Sequence, residues 1–398
     1  MTLRKNINDA VVILLITIFL LFIIELALRF IYPNKVTDFK GAYRFDPVSL
    51  VELNSNISKK FERSKINGGE IISWKTNSHG FRGAELQKNP DLRVMVYGDS
   101  NIQARFSKNI NTYPSKLAKS LSETTSGEIE TINAGLVGAG PDQNLLRFMR
   151  DSDKFKPDII VFHIFADNDY GDLIKNRLFN LNSSGDLISS NMPKEIDFVI
   201  SKRESISYFI SSLLIVKVAK KLIPQKKVPS VNTQETLDLY TTRLANAYKL
   251  FKDNLPRKFS HFGDHYDLDV ATNPTSESAM VKVRFMQAVL VKAFEYAKKH
   301  NIKFLVQIQP SVVDMTKNNS LDYEDLKKFT AYKSTNLTYL TQKICESNNI
   351  PFINLYDAYS KNNPEGLFLK GQNNHWSDLG QDLAAKVSAK YISTHFLK

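Results

Sequence analysis

The sequence predicts an α/β protein, with a parallel sheet covered by helices on both faces and an apolar helix at the N-terminus. Three observations carry this. Short apolar runs alternate with amphipathic helical patterns, first over 91–172 and again over 281–398. Each of the first three runs stops at a polar loop: GDSN, NAGLVGAGP and ADND. A long charge-free run precedes them all.

The 398 residues are 42% hydrophobic and 24% charged, which fits a chain with a real core and excludes a disordered or fibrous one. Net charge is +12. Lys and Arg are spread along the chain, with neither zinc-finger spacing nor an aromatic–basic RNA-binding pattern, so no nucleic-acid partner is expected. The single cysteine, Cys345, excludes an intrachain disulfide and any multi-cysteine metal site. It reads as a packed thiol on a helix.

Residues 10–31 read AVVILLITIFLLFIIELALRFI. At 1.5 Å per residue they span about 33 Å, enough for a bilayer core. Glu25 and Arg29 stand at i, i+4 spacing and can pair on one helix face. Tyr32 suits an interface, and Pro33 ends the helix. The run is long for a cleaved signal peptide, and no A-x-A pattern follows it. A single-pass anchor over 10–32 is therefore expected. Arg4 and Lys5 hold residues 1–9 in the cytoplasm and place the remainder outside the membrane.

Beyond the anchor, residues 33–90 read as a polar, turn-rich lead-in. Strands are expected at 93–97 (RVMVY), 128–132 (EIETI), 158–165 (DIIVFHIF), 302–309 (IKFLVQIQ) and 351–355 (PFINL). Helices are expected around 281–299, 335–347 and 378–393. Residues 91–172 and 281–398 thus form two halves of one domain. The stretch 173–280 breaks the rhythm and reads as an inserted cap. Within it, SISYFISSLLIVKVAKKLI (205–223) is an amphipathic helix, packed on the domain or lying on a membrane surface.

Acyl chemistry on a hydroxyl nucleophile needs an exposed serine, a base, donors for the oxyanion and a group that orients the base. Ser100 follows the first strand in Gly98-Asp99-Ser100-Asn101, where a strand-to-helix turn exposes a hydroxyl at the sheet edge. Gly138 follows the second strand, where its backbone N–H can point into the same cleft. Asn168 follows the third strand and offers a side-chain amide. His375 precedes the last helix in NNHWSDLG. Several other residues have plainer readings. His163 alternates within a strand and reads as core. His261, Asp264, His265, Asp267 and Asp269 lie in a loop-like stretch and are not read as a metal site. Gly135, Gly138 and Gly140 lack dinucleotide-fingerprint spacing.

Taken in order, Gly98-Asp99-Ser100, then Asn133 and Gly138, then Ala166-Asp167-Asn168-Asp169, then His375 with Gly380, resemble the blocks of the SGNH/GDSL hydrolase superfamily. TNSHGFRGAE (76–85) and the Glu25–Arg29 pair are similar to features of its membrane-anchored members. The resemblance covers about half the chain. It implies a flavodoxin-like three-layer α/β/α fold, with Ser100 as nucleophile and His375 as base. It also implies an oxyanion hole from the N–H groups of Ser100 and Gly138 and the Asn168 amide, with no cofactor or metal. The family's aspartate two or three residues before the histidine is replaced by Asn373 and Gln372, which can orient an imidazole without supplying charge. His375-Trp376 resembles members that move O-acetyl groups on polysaccharides. The resemblance implies an ester hydrolase acting on an ester-bearing small molecule or glycan. An O-acyltransferase on exported glycans and a catalytically degenerate envelope-binding module are the alternatives. Oligomeric state is not legible.

Overall fold

The computed structural model describes residues 2–31, 39, 41–190, 210, 213–222, 248–249, 251–253, 266–316, 326, 329–371 and 375–397. In chain order its elements are α1 (Thr2–Ile31), β1 (Tyr43–Asp46), β2 (Leu50–Leu53), β3 (Ser58–Glu62), β4 (Ile71–Lys75), β5 (Leu92–Gly98), α2 (Ser100–Gln103), α3 (Tyr113–Ser122), β6 (Ile129–Gly135), α4 (Pro141–Phe155), β7 (Ile159–Phe165) and α5 (Asp169–Asn176). There follow β8 (Phe179–Leu181), β9 (Leu187–Ser189), α6 (Leu214–Leu222), α7 (Leu268–Thr272), α8 (Glu277–Lys299), β10 (Lys303–Gln309), α9 (Val312–Met315), α10 (Asn336–Ser347), β11 (Phe352–Asn354), α11 (Tyr356–Ser360), α12 (Pro364–Leu367) and α13 (Asp378–His395).

The central sheet has five parallel strands in the order β6-β5-β7-β10-β11. Numbered within the sheet this is 2-1-3-4-5, the flavodoxin-like order, whose switch point lies between β5 and β7. Both faces are buried, and successive residues serve opposite cores. Val94 and Val96 join α3 and α13 on one face, while Met95 and Tyr97 join α4, α8 and α10 on the other. This is why β5 and β7 read as unbroken apolar runs and not as alternating ones. A Pro at the start of each of α3 and α4 is compatible with its position, since no intrahelical donor is lost there.

The lead-in contains strands that the sequence reading did not assign. Antiparallel pairs β1–β2 and β3–β4 share a small core of Phe39, Phe61, Ile72 and Trp74, completed by Leu136, Ala139 and Leu178. Four- and five-residue strands give too few turns of the period-2 pattern to stand out. Only β4, with alternate residues buried, shows it clearly.

Asp9–Ile31 is long and apolar enough to cross a membrane, a test that a signal sequence also passes. The expected pair forms, with Arg29 Nε donating to Glu25 Oε1 at 2.8 Å. The same carboxylate accepts the backbone N–H groups of Leu214 (3.1 Å) and Ile215 (3.0 Å), so it caps the first turn of α6. Of the helix expected over 205–223, only residues 210 and 213–222 lie among the described residues.

Candidate active site

Ser100 is the first residue of α2, directly beyond the C-terminal end of β5. Asp99 is the N-cap, and its Oδ1 accepts from the Asn101 N–H at 2.8 Å. Gly98 is required by close approach. A Cβ there would meet His163 Nδ1 at 3.0 Å and would collide with Ile102 Cγ1. Ser100 is partly buried, and its Oγ lies 3.5 Å from Asp99 Oδ2.

Backbone bonds between positions 367–369 and 375–377 hold His375 beside the cleft that Ser100 lines. The Leu369 N–H donates to the His375 carbonyl at 2.8 Å, and the Ser377 N–H donates to the Leu367 carbonyl at 2.8 Å. Trp376 is buried, and its backbone N–H donates to Asn101 Oδ1 at 3.0 Å. Gln381 Nε2 on α13 donates to the Asn101 carbonyl at 3.1 Å. Ser100 and His375 line one narrow cleft, with Ala104, Phe106, Leu369 and Trp376 among its walls. The edge of the His375 ring meets Phe106, with centroids 5.4 Å apart.

Gly138 and Asn168 occupy the two adjoining loops at the same end of the sheet, and neither lines that cleft. The Leu136 N–H donates to the Gly98 carbonyl at 3.0 Å, which ties the β6 loop to the nucleophile strand. Gly138 is exposed at φ +73, a left-handed conformation that favours glycine. Asn168 precedes α5, and its Nδ2 donates to Asp172 Oδ2 at 3.1 Å. Its Oδ1 is buried and has no partner among the described residues. Gln372 and Asn373 lie outside the described residues.

Carboxylates crowd beneath the loops. Burial, with the Asp172 charge adding to it, pushes the Asp99 carboxyl up to about 6 despite its bonds from Asn101. Burial and the charges of Asp99 and Asp172 raise Asp169 well above the usual range. Asp167 accepts from the Ser311 hydroxyl, and Asp169 from the Phe165 N–H at 2.7 Å. Burial pushes His163 down to about 4, so its ring is neutral.

The sequence reading missed the site contacts of three residues. Arg82, within TNSHGFRGAE, donates to the carbonyls of Gln103, Ala104 and Ser107, and so pins the segment that walls the cleft. Asp378 accepts from Ser107 Oγ (2.7 Å), Asn111 Nδ2 (3.0 Å) and Arg63 Nη1 (3.3 Å), which docks α13 on that segment. His163 is buried as expected, but it packs against Asp99 and Trp376 and not only among apolar neighbours. Repetition or spacing gives no signal for any of the three, since their partners are remote in sequence.

Two plainer expectations also have a structural place. Asp267 and Asp269 hold the buried Lys282 ammonium at 3.0 and 2.7 Å, which occupies both carboxylates. His261, Asp264 and His265 lie outside the described residues. Cys345 is buried, and its thiol is pushed up to about 12 by burial.

No family model matches the chain, and no curated protein matches it. Solved structures similar to it include a lipase/acylhydrolase from Enterococcus faecalis (11% identity, 76% of this chain and 96% of that one, TM-score 0.38). A second is an acetyl xylan esterase (16% identity, 76% and 99%, TM-score 0.36). A third is the psychrotrophic esterase EstA from a Pseudoalteromonas species (13% identity, 77% and 100%, TM-score 0.36).

Proposed function

We propose that the chain is a serine ester hydrolase acting on O-acyl esters, carried on a membrane anchor with its α/β domain outside the cytoplasm. The observation that carries this is the shared cleft of Ser100 and His375, at the carboxyl end of the sheet beside the switch point. In the proposed step His375 takes the Ser100 proton as Oγ attacks the ester carbonyl. The N–H groups of Ser100 and Gly138 and the Asn168 amide receive the oxyanion. Collapse expels the alcohol, which takes the proton back from the imidazolium, and leaves an acyl-enzyme. Water then releases the acid.

A second reading is transfer to a sugar hydroxyl. The His375-Trp376 pair favours it, through its resemblance to superfamily members that move O-acetyl groups on polysaccharides. The test uses the full chain in detergent micelles with p-nitrophenyl acetate and p-nitrophenyl octanoate. Ester turnover is expected, and the ratio of the two rates reports the acyl length that the site takes. Ser100→Ala should lower kcat by about 10³-fold or more. Equal turnover by wild type and Ser100→Ala removes Ser100 as nucleophile. Adding an oligosaccharide acceptor separates the two readings by whether acetylated sugar forms.

A further inference from the structure

A line of polar side chains runs from Ser100 into the sheet. Ser100 Oγ is 3.5 Å from Asp99 Oδ2, Asp99 Oδ1 is 3.8 Å from His163 Nδ1, and His163 Nε2 is 2.9 Å from Gln309 Oε1. Asp99, His163 and Gln309 are 4%, 1% and 0% exposed, so water cannot meet their needs. With the Gln309 amide oxygen turned to the ring, His163 must carry its proton on Nε2. Its bare Nδ1 then faces a carboxylate, and among the described residues both His163 Nδ1 and Gln309 Nε2 are left without a hydrogen-bond partner.

The oxygen and nitrogen of an amide are told apart by their network and not by their shape. Half a turn about the Gln309 side-chain amide places an N–H against His163 Nε2. The ring proton then sits on Nδ1 and points at Asp99 Oδ1. A lone pair opposed to a carboxylate becomes a donor aimed at one, and closing the 3.8 Å gap by less than an ångström completes a charge-assisted bond. The amide oxygen, a less demanding group to leave unpaired than an NH₂, takes the vacated place.

The ring touches both arms of the site. Its edge meets Trp376, with centroids 5.3 Å apart, beside His375, while Nδ1 faces the carboxylate that flanks Ser100. Gly98 has no side chain where this ring must pass. We propose that His163 is a positioning residue for the nucleophile: as the neutral Nδ1–H tautomer it donates to Asp99 Oδ1, fixes the carboxylate beside Ser100 Oγ, and braces Trp376. This rests on the assignment of Ser100 as nucleophile.

The experiment has two arms. Long-range ¹H–¹⁵N spectra of the full chain in micelles report the tautomer, with the His163 signal assigned from its loss in His163→Gln. The expected result is a proton on Nδ1, and a proton on Nε2 overturns the proposal. Kinetically, His163→Phe keeps a ring against Trp376 and removes the donor, and should lower kcat about 10- to 100-fold with KM within about twofold. His163→Asn places an amide N–H where Nδ1–H stood and should recover most of that loss. Wild-type kcat in His163→Phe, or an equal fall in both variants, overturns the role. If Ser100→Ala retains wild-type turnover, the nucleophile assignment has failed instead, and the tautomer still decides the His163–Asp99 bond.

Discussion

Asn101 joins the two arms of the site: its Oδ1 accepts from the backbone N–H of Trp376 at 3.0 Å, across 275 residues of chain. Because Asn101 follows Ser100 and Trp376 follows His375, this one bond sets how the candidate nucleophile and base face each other. Asn101→Ala leaves a buried N–H unpaired at a cost of about 1–3 kcal/mol. It should also lower p-nitrophenyl acetate turnover about tenfold or more. Asn101→Asp keeps the acceptor but buries a second carboxylate against Asp99, so it should not restore stability. Denaturant unfolding and kcat check this together.

Arg82 holds three carbonyls of the 103–107 segment. A lysine has no planar fork and cannot reach all three. In Arg82→Lys, amide hydrogen exchange across residues 103–107 should quicken, and kcat should fall more than KM rises. Unchanged exchange would show that other contacts hold the segment.

Asn168 is expected to donate to the oxyanion, with Asp172 holding its amide. Removing one such donor costs about 10²–10³ in kcat. Asn168→Ala should show that loss with KM nearly unchanged. A loss confined to KM would assign Asn168 to substrate binding alone.

The contribution of three buried carboxyls to stability should fall as pH rises from about 4 to 7. Burial lifts Asp99 and Asp267 to about 6 and Asp314 to about 7, all from 3.8. A carboxyl whose folded pKa is raised binds more protons folded than unfolded, so its contribution is present below 3.8 and is lost as pH passes the raised value. Asp314 Oδ1 accepts both Tyr266 OH (2.6 Å) and Tyr332 OH (2.9 Å), and an amide oxygen can do the same. Asp314→Asn should therefore gain about 2 kcal/mol over wild type at pH 8 and almost nothing at pH 4. Melting curves at the two pH values test it.

Glu25 caps α6 from within the apolar helix. Glu25→Ala removes the acceptor, so the amides of Leu214 and Ile215 should exchange faster while those of the central sheet do not change. Equal exchange at 214–215 would show that α6 is held without the carboxylate.

The sequence by itself determined the parts governed by local pattern. All five sheet strands were legible as apolar runs, and β7 and β10 begin within one residue of their expected starts. The helix at 378–395 and the Glu25–Arg29 pair follow from spacing along one helix. The ordered blocks placed Ser100, Gly138, Asn168 and His375 at strand ends and loops. Tertiary structure alone decided the β1–β4 hairpins and the partners of Arg82, Asn101, His163 and Asp378. Short hairpins draw their stability from a shared core of distant residues. A buried polar side chain is defined by the group that satisfies it, and here those groups come from other strands, loops and helices. Periodicity reports which face of an element is buried, but not which remote donor or acceptor it meets there.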